Sequence, residues 1–479
     1  MQYDHFTQDH ENNYIVHGDE DCLYMNIYMK RVDPNANLDV LVHIHGGAFM
    51  FGRGASYGPD IIMDRDIVFV NFNYRLGPLG FLSTQDDILP GNLGLKDQIK
   101  ALKWINENIK YFGGNPQSIT IHGMSAGGAS VHLHYLIPES KGLFKQGFSQ
   151  SGCALNPWVI AENSREKTAK VADLVGCPTK NSKQIKECLK NRPARNIVQT
   201  VKEFQPFQYN PFSPFGVVVD GLWTSNAVLP EDPYNLLAKG KVLDVPWITS
   251  FTKHEGLYPA SEFWANDQHL LDIDVKWNEI MPFILHYNDS VTPELKDVVS
   301  QKIREVYLGD KAINRNTFPH LVDIISDRLF VADIETSARL QNAAVLSNIY
   351  VYKFSYRGAT SKSTFRTKYN EDIGVSHGDD TVYFLYALLN TTSTKNDRAM
   401  SNTLIDMTTS YMKTSQPNIT NKWQPLNGNK YCLLEISGPE TFNMKCYNET
   451  GRRSFWDGLP FREYGKLEET KFISDKQEL

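Results

Sequence analysis

A short β-branched run, Ile119-Thr-Ile-His122, leads without a break into Gly123-Met-Ser125-Ala-Gly127-Gly128 and then into helix-forming text. Few folds accommodate that order. A serine hydroxyl becomes a useful nucleophile only where the chain presents it at the tip of a tight strand-to-helix turn. Such a turn demands small residues two before and two after the serine. The helix that begins there also aims its first backbone N–H groups and the positive end of its dipole at the reacting centre. The bland alternative is a glycine-rich turn without chemistry, but the strand before and the helix after are the context that a nucleophile requires. Ser125 is therefore the candidate nucleophile.

The surrounding text fits a sheet that can carry such a turn. Apolar β-type runs at Val40 to Ile44, Ile67 to Phe72, Ile119 to His122, Phe144 to Ser149, Trp247 to Phe251 and Ile349 to Phe354 alternate with helical text. This order predicts a mostly parallel sheet with helices on its faces, an α/β fold. Leu95, Ile99, Leu102, Ile105, Ile109 and Phe112 recur at steps of three and four and predict a helix. It should stop at Gly113-Gly114-Asn115-Pro116, where glycine accepts a left-handed cap and proline cannot continue the ladder. From about Trp158 to Leu340 the text reads as helices and proline-rich loops. With 479 residues, 41% hydrophobic, and no repeat or linker, the chain reads as one large globular unit over 1–479. Net charge is −6 without a basic stripe, which leaves nothing to attract nucleic acid. No run approaches the ~20 apolar residues of a membrane span.

Attack on an ester carbonyl places negative charge on oxygen, and fixed N–H donors must meet it. Val42-His43-Ile44-His45-Gly46-Gly47-Ala48-Phe49 follows a strand with a His-Gly-Gly loop suited to this task. Gly47 and Ala48, with Ala126 beside the nucleophile, are the candidate donors. His45 reads as a loop-packing residue rather than a base.

These loops belong to a longer set of motifs: Asp19-Glu-Asp-Cys22-Leu-Tyr-Met-Asn26, His45-Gly-Gly-Ala-Phe49, Asn73-Tyr-Arg-Leu-Gly77-Pro-Leu-Gly80-Phe, Gly91-Asn-Leu-Gly94-Leu-Lys-Asp97-Gln98 and Phe112-Gly-Gly-Asn-Pro116. Together they resemble the type-B carboxylesterase and cholinesterase family, especially its insect esterases, over nearly the whole chain. The resemblance implies an α/β-hydrolase fold and a triad in the order serine, acid, histidine. It assigns the acid to Glu255, in Thr252-Lys-His-Glu255-Gly256, and the base to His377, in Gly374-Val-Ser-His377-Gly-Asp-Asp380. It implies a general carboxylesterase acting on small-molecule esters through an acyl-enzyme, without metal or other cofactor; oligomeric state stays open. The family's rival role is a catalytically weak or inactive adhesion or binding module, or an ester-sequestering protein. Three departures stand out. Met124 replaces the family's usual Glu before the nucleophile. Ala48 replaces the third glycine of the oxyanion loop. Only about twenty residues precede Cys22, so relative to the family the amino terminus is truncated and Cys22 lacks its usual partner.

Cysteines and sequons bear on the compartment. Cys177 with Cys188, and Cys432 with Cys446, each close a short loop and suit disulfides in an oxidising environment; the alternative is four buried thiols. Asn288, Asn390, Asn418 and Asn448 head Asn-x-Ser/Thr sequons. The terminal Lys476-Gln-Glu-Leu479 resembles an endoplasmic-reticulum retrieval signal. These features point to the secretory pathway, either the reticulum lumen or secretion, although Met1-Gln-Tyr-Asp4 begins without a signal-peptide pattern.

Overall fold

The computed structural model describes residues 1–8, 14–367, 371–385, 393–428 and 430–462. Its strands are β1 (Gln2–Gln8), β2 (Tyr14–His17), β3 (Met25–Tyr28), β4 (Leu38–Ile44), β5 (Val68–Phe72), β6 (Gly114–Met124), β7 (Gln146–Gln150), β8 (Trp247–Thr252), β9 (Ile349–Phe354), β10 (Tyr431–Gly438) and β11 (Thr441–Tyr447). β1 and β2 pair as a hairpin of their own; the other nine form one sheet in the order β11-β10-β9-β8-β7-β6-β4-β5-β3. From β5 to β10 every neighbouring pair is parallel, and β3 and β11 close the edges antiparallel.

The strand pattern explains why the sheet is covered on both sides. In β4, Val40, Val42 and Ile44 face a core shared with Leu95, Ile99, Leu102 and Ile105 of the helix Leu93–Asn108. Leu41 faces the other way, onto Phe69, Phe148, Ile248 and the residues Met400, Leu404, Met407 and Tyr411 of the helix Lys395–Thr414. A strand whose successive side chains alternate between two dry cores reads as a continuous apolar run, as expected of a parallel sheet.

The expected helix runs over Leu93–Asn108, tightens into a 3₁₀ turn over Ile109–Phe112 and ends at Gly113 with φ of +83°. The text after this stop already belongs to β6. Leu38 donates its N–H to Gly113 O and pairs with Gly114, so the strand starts five residues before the β-branched run and only its last part is fully buried. β7 begins at Gln146 rather than Phe144.

Register brings the carboxyl ends of the central strands to one rim. Ile44 lies opposite Gly123, Met124 opposite Gln150, and Gln150 opposite Ser250. The loops that leave those ends therefore converge, which is where sites form in open α/β sheets.

Candidate active site

Ser125 occupies the turn between β6 and the helix Ala126–Leu136 with φ 60° and ψ −125°, outside the regular regions. Such a conformation costs ~1–3 kcal/mol and persists only where its surroundings fix it. Here the Ser125 N–H donates to Gln150 O at 2.8 Å, and Ser125 O accepts from Ala129 N at 2.9 Å. Close packing accounts for the flanking glycines. A Cβ at Gly123 would sit 2.2 Å from Gly127 O, and one at Gly127 would sit 2.0 Å from Ile44 O.

The loop after β4 lies directly against this turn. A Cβ on Gly46 would meet Met124 O at 2.4 Å. Gly47, Ala48 and Phe49 all hold positive φ, of 113°, 56° and 59°. Ala48 thus adopts the left-handed conformation that its departure from glycine makes costly, by ~1–2 kcal/mol. Its carbonyl is pinned by Ser213 Oγ at 2.9 Å, and Gly47 O accepts from Met50 N and Phe51 N. Among the described residues no acceptor meets the N–H of Gly47 or Ala48. Ala126 opens its helix, so its N–H has no intrahelical acceptor either. His45 is fully buried, stacks on Tyr74 at 4.4 Å and bonds its own loop through Nδ1 to Gly46 O; burial lowers its pKa to about 4. It packs the loop.

Glu255 follows β8 and is fully buried. Its Oε1 accepts from Ser151 Oγ and from Thr252 N, each at 2.6 Å, and its Oε2 lies 2.5 Å from His377 Nδ1. The two loops are stitched together one residue away, where His254 N donates to Val375 O and Val375 N donates to His254 Nδ1. In the tautomer that gives Nδ1–H to the carboxylate, Nε2 carries the ring's lone pair. The ring is held between Tyr258, stacked at 5.5 Å, and Phe330 at 4.6 Å. Gly378, next in the chain, lies against Met124, the residue before Ser125: a Cβ there would be 3.1 Å from the Met124 side chain.

Comparison with known proteins gives this geometry its context. The model of the carboxylesterase family matches residues 1–456. The chain belongs to the carboxylesterase family. Venom carboxylesterase-6 of Apis mellifera is 43% identical over 97% of this chain and 84% of its own length; Esterase E4 of Myzus persicae is 39% identical over 91% and 81%. Among solved structures, juvenile hormone esterase from Manduca sexta, with OTFP covalently attached, superposes with a TM-score of 0.81 at 25% identity, covering 95% of this chain and 86% of that one. This carboxylesterase has the α/β-hydrolase fold and is a serine hydrolase of carboxylic esters.

Several residues behind the site escaped the motif reading. Gln150 and Ser151, at the end of β7, hold Ser125 and Glu255 respectively; their position at the rim of the next strand is the signal that could have found them. Gln150 also anchors a buried chain of hydrogen bonds. Its amide nitrogen donates to Tyr352 OH at 2.8 Å and Asp380 Oδ2 at 2.9 Å. That fixes its Oε1 as acceptor from Thr381 Oγ1 at 2.8 Å and His122 Nε2–H at 2.9 Å. Burial keeps His122 and His43 neutral, so His122 Nδ1 accepts a hydrogen bond from His43 Nδ1–H, 2.8 Å away. Asp380 ends the chain; burial pushes its pKa up to about 6, a bond from Tyr352 opposes the rise, and the charge of Glu255 adds to it.

This carboxylesterase has disulfides Cys177–Cys188 and Cys432–Cys446, while Cys22 is a half-buried thiol and Cys153 a buried one. Asn418 and Asn448 are exposed. Asn288 is half-buried, with its Oδ1 accepting from Lys296 Nζ, and Ser290 of that sequon is 1% exposed. Asn390 and Lys476–Leu479 lie outside the described residues. Among the described residues no cluster of His, Cys, Asp or Glu suits a metal, and no helix is long and apolar enough to cross a membrane.

Proposed function

We propose that Ser125, His377 and Glu255 form the catalytic triad of a general carboxylesterase, in one domain spanning the chain. The observation that carries this reading is the 2.5 Å contact of a buried Glu255 with His377 Nδ1, on a loop that touches the residue before Ser125. His377 Nε2 takes the Ser125 Oγ proton as Oγ attacks the ester carbonyl. The N–H groups of Gly47, Ala48 and Ala126 receive the oxyanion, and each such donor contributes ~3–4 kcal/mol to the transition state. Collapse of the tetrahedral adduct expels the alcohol, which leaves with the proton from His377. Water then attacks the acyl-enzyme with His377 again as base, and the acid is released. Glu255 holds the tautomer and stabilises the imidazolium without itself taking the proton. The covalently attached OTFP of the Manduca sexta neighbour agrees with a covalent step.

Trp158, Phe212, Tyr258 and Phe330 are buried around His377 and the oxyanion loop, so apolar acyl groups of modest size suit the site. The two disulfides support passage through the secretory pathway. The test is intact mass after exposure to diethyl 4-nitrophenyl phosphate. One diethylphosphoryl group per chain, located on Ser125 and lost in Ser125→Ala together with at least 10⁴-fold of ester turnover, is the expected result. A folded chain that stays unlabelled and inactive would instead favour a binding module.

A further inference from the structure

His254 stands beside Glu255, and its side chain reaches the loop that carries His377. We propose that His254 is a positioning residue: its neutral imidazole, accepting the backbone N–H of Val375, fixes where His377 stands against Glu255 and Ser125. The role rests on reading His377 as the base, and it goes beyond the triad because His254 acts only through the loop.

Three features carry this. The first is a double stitch. His254 N donates to Val375 O at 3.0 Å, and Val375 N donates to His254 Nδ1 at 2.9 Å. His254 also pairs with Ser376 as a single parallel bridge beyond the end of β8. The neighbouring N–H groups are taken within the loop itself: Gly374 N donates to Asp372 Oδ1 at 3.0 Å, and Ser376 N to Asp379 Oδ2 at 2.7 Å. Those bonds shape the loop, whereas the His254 ring ties it to the segment that bears Glu255.

The second is the tautomer. A backbone N–H only donates, so Nδ1 of His254 holds the lone pair and the ring proton lies on Nε2. Protonation would put a hydrogen on Nδ1 and set two donors face to face. Burial lowers the pKa of this ring to about 4; Lys253 and Lys353 of β9 push the same way, and Asp372, paired with Arg357 at 3.0 Å, opposes them. The acceptor is therefore present throughout the neutral range.

The third is the space made for the ring. Gly374 has φ of +130°, and a Cβ there would lie 2.3 Å from His254 Nδ1. Only glycine lets the imidazole come this close to the N–H of the next residue.

The consequence falls on His377. Tyr258 and Phe330 pack on its ring and Phe212 packs on Tyr258, an aromatic layer whose contacts are not directional. Position along the plane of the ring is left to the backbone, which His254 holds two residues earlier. A shift of about 1 Å at a catalytic group costs on the order of 100-fold in rate.

The test compares three variants of the full chain in hydrolysis of 1-naphthyl acetate. Each kcat is expressed per serine labelled to completion by diethyl 4-nitrophenyl phosphate, so that misfolded protein does not count. His254→Asn places an amide oxygen close to the position of Nδ1 and keeps the acceptor. His254→Gln carries that oxygen one bond further and loses the Val375 contact; His254→Leu has no acceptor. His254→Leu and His254→Gln should lower kcat about 30-fold with KM within about threefold, whereas His254→Asn should keep kcat within about threefold. In the two impaired variants the acidic limb of kcat/KM should also move to lower pH by about half a unit, because an imidazolium held less closely by a carboxylate gives up its proton more readily. Loss of stability alone leaves that limb in place. The proposal is overturned if His254→Leu and His254→Gln keep kcat, if His254→Asn falls as far as they do, or if kcat falls with the acidic limb unmoved. Wild-type protein that is neither labelled nor active sinks the triad itself. Wild-type protein that is both, with His254→Leu and His254→Gln equal to it, sinks the positioning role alone.

Discussion

Ala48 is a single departure from the family within the loop proposed to receive the oxyanion. Its N–H survives, and the left-handed φ of 56° is held by Ser213 and the neighbouring turn. Ala48→Gly should therefore keep kcat/KM within about threefold and change unfolding free energy by no more than ~1 kcal/mol, because relief of strain offsets the freer unfolded chain. Gly47→Ala should behave differently. Its Cβ would fall 1.9 Å from Phe51 O, and activity should drop at least 100-fold as the loop moves. Asp380 gives a pH signature. Burial lifts its folded pKa to about 6, above the ordinary carboxyl value of 3.8, so the folded state holds this proton more tightly than the unfolded state. The corresponding stability is fully present below pH ~4 and is lost as pH rises through 6. In urea unfolding, the stability difference between wild type and Asp380→Asn should fall across that window and level off above it; a difference that is flat with pH would refute the assignment. For the sequons, a secreted preparation should carry glycan on Asn418 and Asn448 and none on Asn288, whose amide is tied to Lys296 and Asp289 and whose Ser290 is buried, as peptide masses would show.

At the scale of elements, β4 was legible because Val40, Leu41, Val42 and Ile44 are buried and apolar, whichever face they serve. Leu41→Ala should cost ~3 kcal/mol by leaving a cavity against Phe69 and Phe148, read as a shift in denaturation midpoint. β10 and β11 escaped notice for the opposite reason. β11 alternates exposed and half-exposed residues, and its pairing is secured by Cys432 opposite Cys446 and by Lys445 against Glu435. Those contacts join residues about ten or more apart, and no local periodicity announces them. β6 shows a third case: its first residues read as a helix stop and are strand only because Leu38 is there to pair with Gly114.

For the molecule as a whole, the rim that holds the proposed triad is nearly closed: Ser125 is 7% exposed and His377 2%. Turnover then depends on the aromatic layer yielding, and Phe212→Ala should raise kcat/KM for bulky acyl esters at least tenfold relative to acetates. The sequence by itself determined the strand-to-helix turn at Ser125, because its glycines and flanking strand and helix are neighbours along the chain. The oxyanion loop and the alternation of strands and helices were legible for the same local reason. Glu255 and His377 came from family likeness, since nothing within either segment marks it among the other acids and histidines. Their meeting, the support from Gln150 and Ser151, and the tautomers of the His43–His122 pair were decided by tertiary structure. Hydrogen bonds act over about 3 Å whatever the separation along the chain, and only the folded sheet brings residues 122 positions apart within that reach.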